Sequence, residues 1–430
     1  MRSLGFSSIG GKGMYRRYSW AFLIIFSTLL IQCLAVGLQR PYRPEMWEYE
    51  VAAQNFLNGR GLTVHYLGTD YRALLHPFYP LLCVGIYWLF GSLPVAVAYT
   101  QIIIFGLVAC ISYRIGKEVF CEKTATLAAL LVCLHPGLFI YTTHKLHSLI
   151  VDTFWFLRFL LFTLKLQKKM NFKRAVFAGI ILGFAILSRP TILLFSGVAS
   201  IWLLKQWDFL VRKKFLFLFT LLATTAVILT PWAVRNFIVF GRFIPMSTSS
   251  GIHLWRGNNP NATGTLRTSS GEIVLYKDVK FLEELYKLDE LGQAQLFQKA
   301  ALTYMREHPW RTFQLFLKKF YYFWWFSPQS GILYPPKWRL LYRGWYSSAI
   351  LLAILGMECG WRKTACAEQR EKLLLLILFL FSISLFQSIF FVEGRHRWTI
   401  EPVLLIFSAE GLRFLMEDIW KYCRLSETRS

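Results

Sequence analysis

Repeated apolar runs constrain the fold of this 430-residue chain more than any other feature. Most are close to the length of ~17 to 25 residues that a helix needs to cross the hydrocarbon core of a membrane. In lipid every backbone polar group must be bonded within the chain, which favours helices. Hydrophobic residues make up 55% of the sequence and charged residues only 17%, a balance that excludes an ordinary soluble domain. We therefore predict an all-α polytopic membrane protein. The candidate spans are 19–38, 94–113, 124–141, 149–166, 174–188, 191–204, 215–231, 344–361, 373–392 and 399–416.

Two shorter apolar stretches, 76–90 and 313–326, decide the number of crossings. If neither crosses, the short basic loops all face the cytosol, as the positive-inside rule requires. If only one crossed, every later basic loop would be exported. We therefore interpret both as surface helices embedded in the membrane. This gives about ten transmembrane helices, or twelve if both stretches cross, with both termini cytosolic.

The formal net charge of +24 does not indicate a nucleic-acid partner. No basic face coincides with a nucleic-acid motif, and the basic residues lie in the loops between spans. The positive charge instead indicates how the chain is oriented in the membrane, and it predicts an affinity for anionic membrane lipids. The eight cysteines form no CxxC pair, so neither a disulfide framework nor a zinc site is expected.

This orientation collects the unusual polar sequence on the outer face of the membrane. The segments are the first outer loop (39–93), 141–148, 232–312 and 393–398. We divide the chain into an N-terminal transmembrane module (1–231), an outer cap (232–312) and C-terminal transmembrane helices (313–430). In the cap, the periodicity of Leu282–Glu307 predicts a helix, and the pattern of 265–276 suggests a hairpin.

The first outer loop carries an unusual density of ionisable groups. Glu45, Glu48 and Glu50 fall within six residues, directly after the first span. Charge next to hydrocarbon is costly unless it has a partner or a function. The spacing of 46–58 predicts a short helix lying on the membrane surface, with its carboxylates above the bilayer. The alternative is a solvated loop whose charges only fix the topology.

Acid groups at a lipid interface suit the transfer of a sugar from a lipid phosphate. A carboxylate can take the proton of an acceptor hydroxyl, and arginines can hold the phosphate that leaves. Arg189, Arg235, Arg395 and Arg397 are all expected on the outer face. Taken singly, each arginine is slightly better explained as a residue that anchors a helix at the lipid headgroups. Together on one face, the four favour a site for an anionic lipid headgroup. His144 and His147 have no evident third ligand, so no metal site is predicted from them.

Four stretches of the sequence resemble one known family. They are EMWEYEVAAQNFLNGRG with HPFYP, GFAILSRP, PWAVRNFIVFGRFIPMSTSSGIHLWRGNNPNATG, and EGRHRWTIEP. Their order is similar to that of the GT-C superfamily of membrane glycosyltransferases, of the type related to protein O-mannosyltransferases and aminoarabinose transferases (family 39-like). The resemblance implies a GT-C-type helical bundle. It also implies an inverting transferase that uses a polyprenyl-phosphate sugar on the outer face of the cytoplasmic membrane.

The resemblance also assigns residues, position by position. Glu45 takes the place of the family's first-loop aspartate and Glu48 precedes the family's tyrosine, so the two compete for the role of catalytic base. The residues expected to bind the sugar phosphate or the acceptor are Tyr49, His76, Arg189, Arg235, Asn236, Asn258, Asn259, Arg395 and Arg397. The expected partners are a polyprenyl-phosphate sugar donor, a lipid, polysaccharide or protein acceptor, and membrane lipids.

The chain departs from the family pattern at two places. Met46 replaces the second acid of the usual first-loop pair, and Ser148 stands near the position of an acid in the second outer loop. The second departure argues against a metal shared between the loops, so no metal ligand is assigned and a divalent cation stays open. Two other functions also stay open, a lipid or polysaccharide flippase or transporter and a non-catalytic GT-C-like protein that binds lipid. Neither the sugar nor the acceptor follows from the sequence.

Overall fold

The computed structural model describes residues 11–39, 41–167, 170–208, 210–268, 270–329, 335–364 and 366–427. Eighteen α-helices, one 3₁₀ turn and one two-stranded antiparallel sheet account for the regular structure of these residues. The fold is therefore the helical membrane fold that the sequence predicts. The first and last residues, which enter the prediction of cytosolic termini, lie outside the described residues.

The N-terminal half contains ten helices and the small sheet. These elements are α1 (Gly11–Gly37), α2 (Glu48–Leu57), β1 (Val64–Tyr66), β2 (Thr69–Tyr71), α3 (Phe78–Phe90), α4 (Pro94–Val119), α5 (Glu122–Cys133), α6 (Pro136–Thr143), α7 (Leu149–Leu166), α8 (Phe172–Ser188), α9 (Ile192–Gln206) and α10 (Val211–Phe240). In the sheet, Val64 pairs with Tyr71 and Tyr66 with Thr69.

The C-terminal half contains both short and long helices. They are α11 (Ser249–Gly257), a 3₁₀ turn (Val274–Lys277), α12 (Val279–Leu285), α13 (Glu290–Glu307), α14 (Pro309–Trp324), α15 (Pro336–Lys363), α16 (Ala367–Ile389), α17 (Gly394–Trp398) and α18 (Glu401–Glu427).

Length and composition single out the helices that suit a membrane. Within the described ranges four helices qualify: Trp20–Gly37, Pro94–Val119, Val211–Phe240 and Pro336–Arg362. The pair α5 and α6, bent by 52°, counts as a fifth if it is one broken span. The predicted spans 149–166 and 174–188 coincide with α7 and α8. The total of about ten crossings stays a prediction.

Several local expectations are corrected by the structure. Helix α10 does not stop at Pro231, where we placed the end of a span, but continues to Phe240 and ends at Gly241, whose φ of 65° suits glycine. Residues 265–276 form one isolated bridge between Arg267 and Ile273 followed by the 3₁₀ turn, and not a hairpin of two strands.

The helix predicted over Leu282–Glu307 is interrupted. It consists of α12 and α13, separated by a short break. The break occurs because the Asp289 side chain accepts a hydrogen bond from the Gly292 amide at 2.8 Å and so caps a new helix. The helices expected in the first loop and over 313–326 are present as α2 and α14.

The cap is fastened to the first loop by the start of α13. The Glu290 carboxylate accepts hydrogen bonds from the backbone amides of Arg72 at 2.6 Å and Ala73 at 2.9 Å, and from the Thr248 hydroxyl at 2.7 Å. One turn later the Gln293 side chain bonds to Tyr71 and to the Leu67 carbonyl. Polar groups that are buried in this way must be paired, so the two segments have one fixed relative position.

Two long helices of the C-terminal half are in backbone contact. A Cβ atom placed on Gly356 of α15 would lie 1.9 Å from the carbonyl oxygen of Phe407, and one on Gly411 of α18 would lie 2.1 Å from that of Leu352. Small residues at such a crossing let two helices approach closely, which is the usual way that helices associate in lipid.

This contact predicts that Gly356→Ala or Gly411→Ala destabilises the protein, because the added methyl group forces the helix backbones apart. We expect a loss of about 1–3 kcal/mol in each case. Gly344→Ala is the matched control, since it lies in the same helix and no described atom is within 4 Å of its Cβ position. The measurement is thermal unfolding in detergent. Equal melting temperatures for Gly356→Ala and Gly344→Ala would contradict the close contact.

Candidate functional site

Two adjoining cavities open where the first loop meets the polar segments of the cap and of the C-terminal half. The smaller has a volume of about 380 Å³ and the larger about 660 Å³. Trp47, Leu266 and Arg395 line both cavities. The side chain of Trp47 therefore stands at their junction, with Glu45 in the wall of the smaller cavity and Glu48 in that of the larger.

The smaller cavity, here called the aromatic cavity, combines large rings with cations. Its aromatic wall consists of Trp325, Phe326, Trp338, Tyr342 and Trp398, and its basic lining consists of Lys145, Arg267, Arg339, Arg395 and Arg397. A cavity with an apolar wall and several guanidinium groups suits an amphipathic anion.

The Glu45 carboxylate is fixed to the segment that carries Lys145. The Lys145 ammonium lies 2.5 Å from Glu45 Oε2. The backbones are also paired, since the Glu45 amide donates to the His144 carbonyl at 2.8 Å and the Leu146 amide donates to the Glu45 carbonyl at 3.1 Å. About half of the Glu45 side chain is exposed (54%). The acid of the first loop thus reaches the cavity while its backbone is held.

Two of the four arginines expected to bind the substrates, Arg395 and Arg397, differ in their surroundings. Arg395 forms an ion pair with Glu393 at 2.6 Å and lies over the Trp47 ring, 4.7 Å from its centroid. Arg397 is almost fully buried, only 1% exposed, and its Nε donates to Glu401 at 2.6 Å. Its other donors bond to the Phe323 carbonyl at 3.0 Å and the Tyr342 hydroxyl at 2.8 Å. Arg397 is therefore part of a buried network that also contains His135, bonded to Glu401 at 2.5 Å.

The larger cavity, here called the histidine cavity, collects four imidazoles from distant parts of the chain. They are His76 before α3, His147 before α7, His253 in α11 and His396 in α17. Burial lowers the pKa of all four, with the nearby arginines acting in the same direction; for His76 the pKa falls to about 4. These side chains are neutral at pH 7 and can donate or accept a hydrogen bond without adding charge.

Glu48 and Tyr49 of α2 line the same cavity. Tyr49 contacts the rings of Tyr79 and His147, and burial raises its pKa to about 12. Glu48 is exposed to the cavity and makes no hydrogen bond or ion pair with any residue that the structure describes. Glu50 is turned away from the cavity, because its buried carboxylate accepts a hydrogen bond from Tyr87 at 2.8 Å.

The wall of the histidine cavity contains a buried acid that the sequence did not mark as part of the site. Asp152 accepts hydrogen bonds from Ser148 at 3.0 Å and Ser188 at 2.5 Å, and the Arg189 guanidinium lies 3.7 Å away. Arg189 also donates to Gln387 at 3.1 Å. Ser148 thus stands beside an acid one helical turn further on, and Arg189 is held by that acid at the edge of the cavity.

Four of the expected binding residues line neither cavity. Arg235 lies over the ring of Trp232, 4.9 Å from its centroid. Asn236 donates to the carbonyls of Ile244 and Met246, which closes the turn after α10. Asn258 donates to the Leu254 and Ile389 carbonyls, and Asn259 donates to Trp255. The side chains of these three asparagines donate hydrogen bonds to backbone carbonyls, so their presence is explained without a ligand.

The sequence analysis missed several residues of the cavities, among them Lys145, His253, Arg256 and Asp152. Nothing in the sequence around these residues distinguishes them from other charged or polar residues, and only the three-dimensional structure shows which of them faces a cavity. In the chain as described, no group of three or more His, Cys, Asp or Glu side chains could hold a metal ion. His144 bonds to Gln39 whereas His147 lines the histidine cavity, so these two do not converge.

The pairing of Arg397 predicts a large effect on stability. Arg397→Met leaves Glu401 buried with one charged donor fewer, and we expect a loss of about 3–5 kcal/mol. In the double variant Arg397→Met/Glu401→Gln the carboxylate charge is also removed, so the cost should be well below the sum of the two single costs. Unfolding in detergent at pH 7 measures all three, and strictly additive losses would contradict the network.

The lowered histidine pKa values predict the pH dependence of stability. Above the ordinary pKa of 6.5 the imidazoles are neutral in the folded and unfolded states, so their contribution is complete. As the pH falls below 6.5 the unfolded chain binds protons that the folded chain excludes, and stability declines until about pH 4 for His76. A His76→Gln variant should therefore show a shallower loss of melting temperature between pH 6.5 and 4.5 than the parent chain. If the melting temperatures of His76→Gln and of the parent chain fell equally over this pH range, the lowered pKa of His76 would be contradicted.

Comparison with known proteins relates this arrangement to one kind of membrane fold. Residues 76–234 match the family model described as dolichyl-phosphate-mannose-protein mannosyltransferase. No protein of curated function matches the chain. Solved structures match over most of it, and none of those reported below is more than 17% identical.

The archaeal oligosaccharyltransferase AglB from Archaeoglobus fulgidus, in complex with an inhibitory peptide and a dolichol-phosphate, is 15% identical with a TM-score of 0.52. The match covers 95% of this chain and 52% of that one. The apo form of an Archaeoglobus fulgidus oligosaccharyltransferase is 17% identical with a TM-score of 0.54, covering 96% and 52%. ArnT from Cupriavidus metallidurans bound to undecaprenyl phosphate is 12% identical with a TM-score of 0.45, covering 90% and 77%.

The chain spans about half the length of the archaeal structures that it matches. The helical architecture that the sequence predicts and the resemblance that it carries are thus confirmed. The fold of this chain is that of the GT-C superfamily of integral-membrane glycosyltransferases.

Proposed function

We propose that the chain transfers a sugar from a polyprenyl-phosphate donor to an acceptor on the outer face of the cytoplasmic membrane. The observation that carries this proposal is the junction at Trp47. An aromatic and cationic cavity adjoins a polar cavity there, and each cavity contains one carboxylate of the first loop. The match of residues 76–234 to a dolichyl-phosphate-mannose-dependent family supports the same donor class, as does the dolichol-phosphate in the AglB complex.

The aromatic cavity is proposed to hold the phosphate and the adjoining part of the lipid. Isoprenoid carbon would pack on rings such as Trp325 and Trp338, and the phosphate would face Lys145 and Arg395. Arg397 would act indirectly, because its guanidinium is almost fully buried and its donors are bonded to Glu401, Phe323 and Tyr342. The sugar would then lie at the junction beside Trp47, with the acceptor in the histidine cavity near Tyr49 and His76.

The reaction itself needs a base and stabilisation of the leaving group. A carboxylate takes the proton of the acceptor hydroxyl as its oxygen forms a bond to the anomeric carbon. The bond from that carbon to the phosphate oxygen breaks, and polyprenyl phosphate leaves with the electron pair. A single displacement of this kind inverts the anomeric configuration. Cations already in place stabilise the charge that develops on the phosphate without reorganisation.

Glu45 is our first choice for the base and Glu48 the alternative. In the empty site the Glu45 carboxylate is engaged by the Lys145 ammonium in an ion pair. A bound phosphate competes for the same ammonium group, so donor binding would release the carboxylate where it is needed. Glu48 has no such partner in the part of the chain that the structure describes, and it faces the proposed acceptor cavity directly.

The orientation in the membrane is part of the proposal. Both cavities form from segments that the basic-loop pattern places outside the cytosol, with both termini inside. In this arrangement 1–231 would form the transmembrane module, 232–312 a cap over the acceptor, and 313–430 the closing helices. The Glu290 contacts support such a cap, because they join residues 72 and 73 of the first loop to residue 248 of the cap, next to the lining residues Leu74, Ser247 and Ser249 of the histidine cavity.

A non-catalytic lipid-binding protein is the second candidate. Two observations favour it: Glu45 is already paired with Lys145, and Ser148 stands near the position where the resembled family has an acid. Such a protein would retain polyprenyl phosphate and transfer nothing.

Replacement of Glu45 tests the proposal. Purified protein is incubated with labelled polyprenyl-phosphate sugars and membrane acceptors, and the parent chain should transfer label. Glu45→Gln should reduce the rate by about 10²- to 10⁴-fold, because a general base is lost, while polyprenyl phosphate is still retained. Parallel reactions with EDTA test the open question of a divalent cation.

Glu48→Gln is the matched variant for this experiment. A loss confined to Glu48→Gln would move the base to Glu48 and leave the reaction class intact. No transfer by a folded parent chain that still retains polyprenyl phosphate, with every donor sugar and acceptor extract tried, would contradict the enzymatic function and favour the lipid-binding protein.

A further inference from the structure

We propose that Arg256 makes the histidine cavity a binding site for an acceptor that carries an oxyanion, a phosphate or a carboxylate. This inference rests on the proposed function, since it names the class of acceptor. It arises from the charges of the cavity and from the polar atoms that the fold leaves without partners there.

The charges that line the histidine cavity are balanced except for two. Asp152 and Arg189 face each other at 3.7 Å, and Arg395 is paired with Glu393 at 2.6 Å. Arg256 has no acid within ion-pair distance among the described residues, and the same holds for Glu48. The empty cavity thus presents one unpaired guanidinium group and one unpaired carboxylate.

Arg256 is held in place without being neutralised. It lies in the last turn of α11, its Nη2 donates to the Tyr66 hydroxyl at 2.8 Å, and its guanidinium lies over the Phe391 ring, 5.7 Å from the centroid. Its Nε is buried and makes no hydrogen bond within the described structure. A positioned guanidinium with a free donor is the arrangement that binds the planar face of a carboxylate or two oxygens of a phosphate.

Two histidines provide further unpaired atoms beside it. Nδ1 of His253, three residues before Arg256 on the same helix, and Nδ1 of His76 are both buried and have no partner in the described part of the chain. A buried polar atom without a partner costs roughly 1–3 kcal/mol. A ligand that accepts hydrogen bonds from the imidazoles removes this cost, and the imidazoles contribute no charge that would repel its other groups.

The position of Arg256 separates this site from that of the donor phosphate. Arg256 lines the histidine cavity alone. Of the cations proposed for the lipid phosphate, Lys145 lines the aromatic cavity alone and Arg395 stands where the two cavities meet. An acceptor bound with its anion at Arg256 has Glu48 in the same cavity, which can accept a hydrogen bond from one of its hydroxyl groups. A neutral saccharide would leave Arg256 unpaired.

Binding of soluble probes tests the inference independently of transfer. The full chain in lipid nanodiscs is titrated with a hexose, a hexose 6-phosphate and a hexuronic acid, and ligand-induced stabilisation is followed. The parent chain should bind at least one charged probe about 10- to 100-fold more tightly than the neutral hexose, and the comparison of the two charged probes identifies the oxyanion. Inorganic phosphate and vesicles with and without phosphatidylglycerol distinguish a free anion and a lipid headgroup from a saccharide.

The variants are Arg256→Gln and, as a control, Arg242→Gln, an exposed arginine that follows α10 and lines neither cavity. Arg256→Gln should abolish the preference for the charged probe and leave binding of the neutral hexose and retention of polyprenyl phosphate unchanged. Arg242→Gln should behave as the parent. Retained melting temperature shows that Arg256→Gln is folded, and if it is not, the same comparison is made with Arg256→Lys, which should weaken the preference.

Three results would overturn the inference. They are equal affinity of the parent for charged and neutral probes, a preference that survives Arg256→Gln, and loss of polyprenyl-phosphate retention in Arg256→Gln, which would assign Arg256 to the donor. Equal transfer to charged and neutral acceptors would overturn it as well and leave the proposed transferase intact. A charged-probe preference without any transfer would sustain the binding site and contradict the enzymatic function alone.

Discussion

Charge that is buried close to hydrocarbon has to be paired or hydrogen-bonded, and this requirement organises the site end of the molecule. The His135–Glu401–Arg397–Tyr342 network shows how it is met, because each ionic group there has a partner within 3 Å. Helices α6, α15, α17 and α18 take their relative positions from these contacts and enclose the aromatic cavity. Glu48 and Arg256, which have no ion-pair partner among the described residues, line the histidine cavity and are not part of the core.

The cap and the first loop depend on the same principle with neutral partners. Glu290 and Gln293, both near the start of α13, satisfy backbone and side-chain groups of 67–73 and of Thr248. The segments so fixed continue directly into Leu74, Leu75 and His76 on one side and into α11 on the other. Hydrogen bonds outside the histidine cavity therefore set the distance between its two walls.

The sequence was most informative where one physical cause decides the outcome. Apolar length and helical spacing predicted the membrane fold, α2 and α14, because a helix in lipid has few alternatives. The hairpin predicted for 265–276 was wrong, since a loose alternation of apolar and polar residues does not show whether a partner strand exists. The ion pair of Arg397 with Glu401 could have been predicted from their spacing of four residues, which brings side chains together in a helical stretch, although here the pair joins the end of α17 to the start of α18. The role proposed for Arg256 could not have been predicted from the sequence. What distinguishes this arginine is that no described acid lies within ion-pair distance of it, and only the folded structure shows that. The number of crossings depends in the same way on packing that spacing does not reveal.

The Trp47 side chain connects the two cavities through the cations around it. Arg395 lies 4.7 Å and Lys145 lies 5.9 Å from the centroid of its indole ring, which also contacts the His147 ring. Under the proposed function, a donor phosphate in the aromatic cavity would interact with the same two cations that contact this ring. Occupancy of one cavity and the position of the wall that it shares with the other would then be coupled, without any direct contact between donor and acceptor.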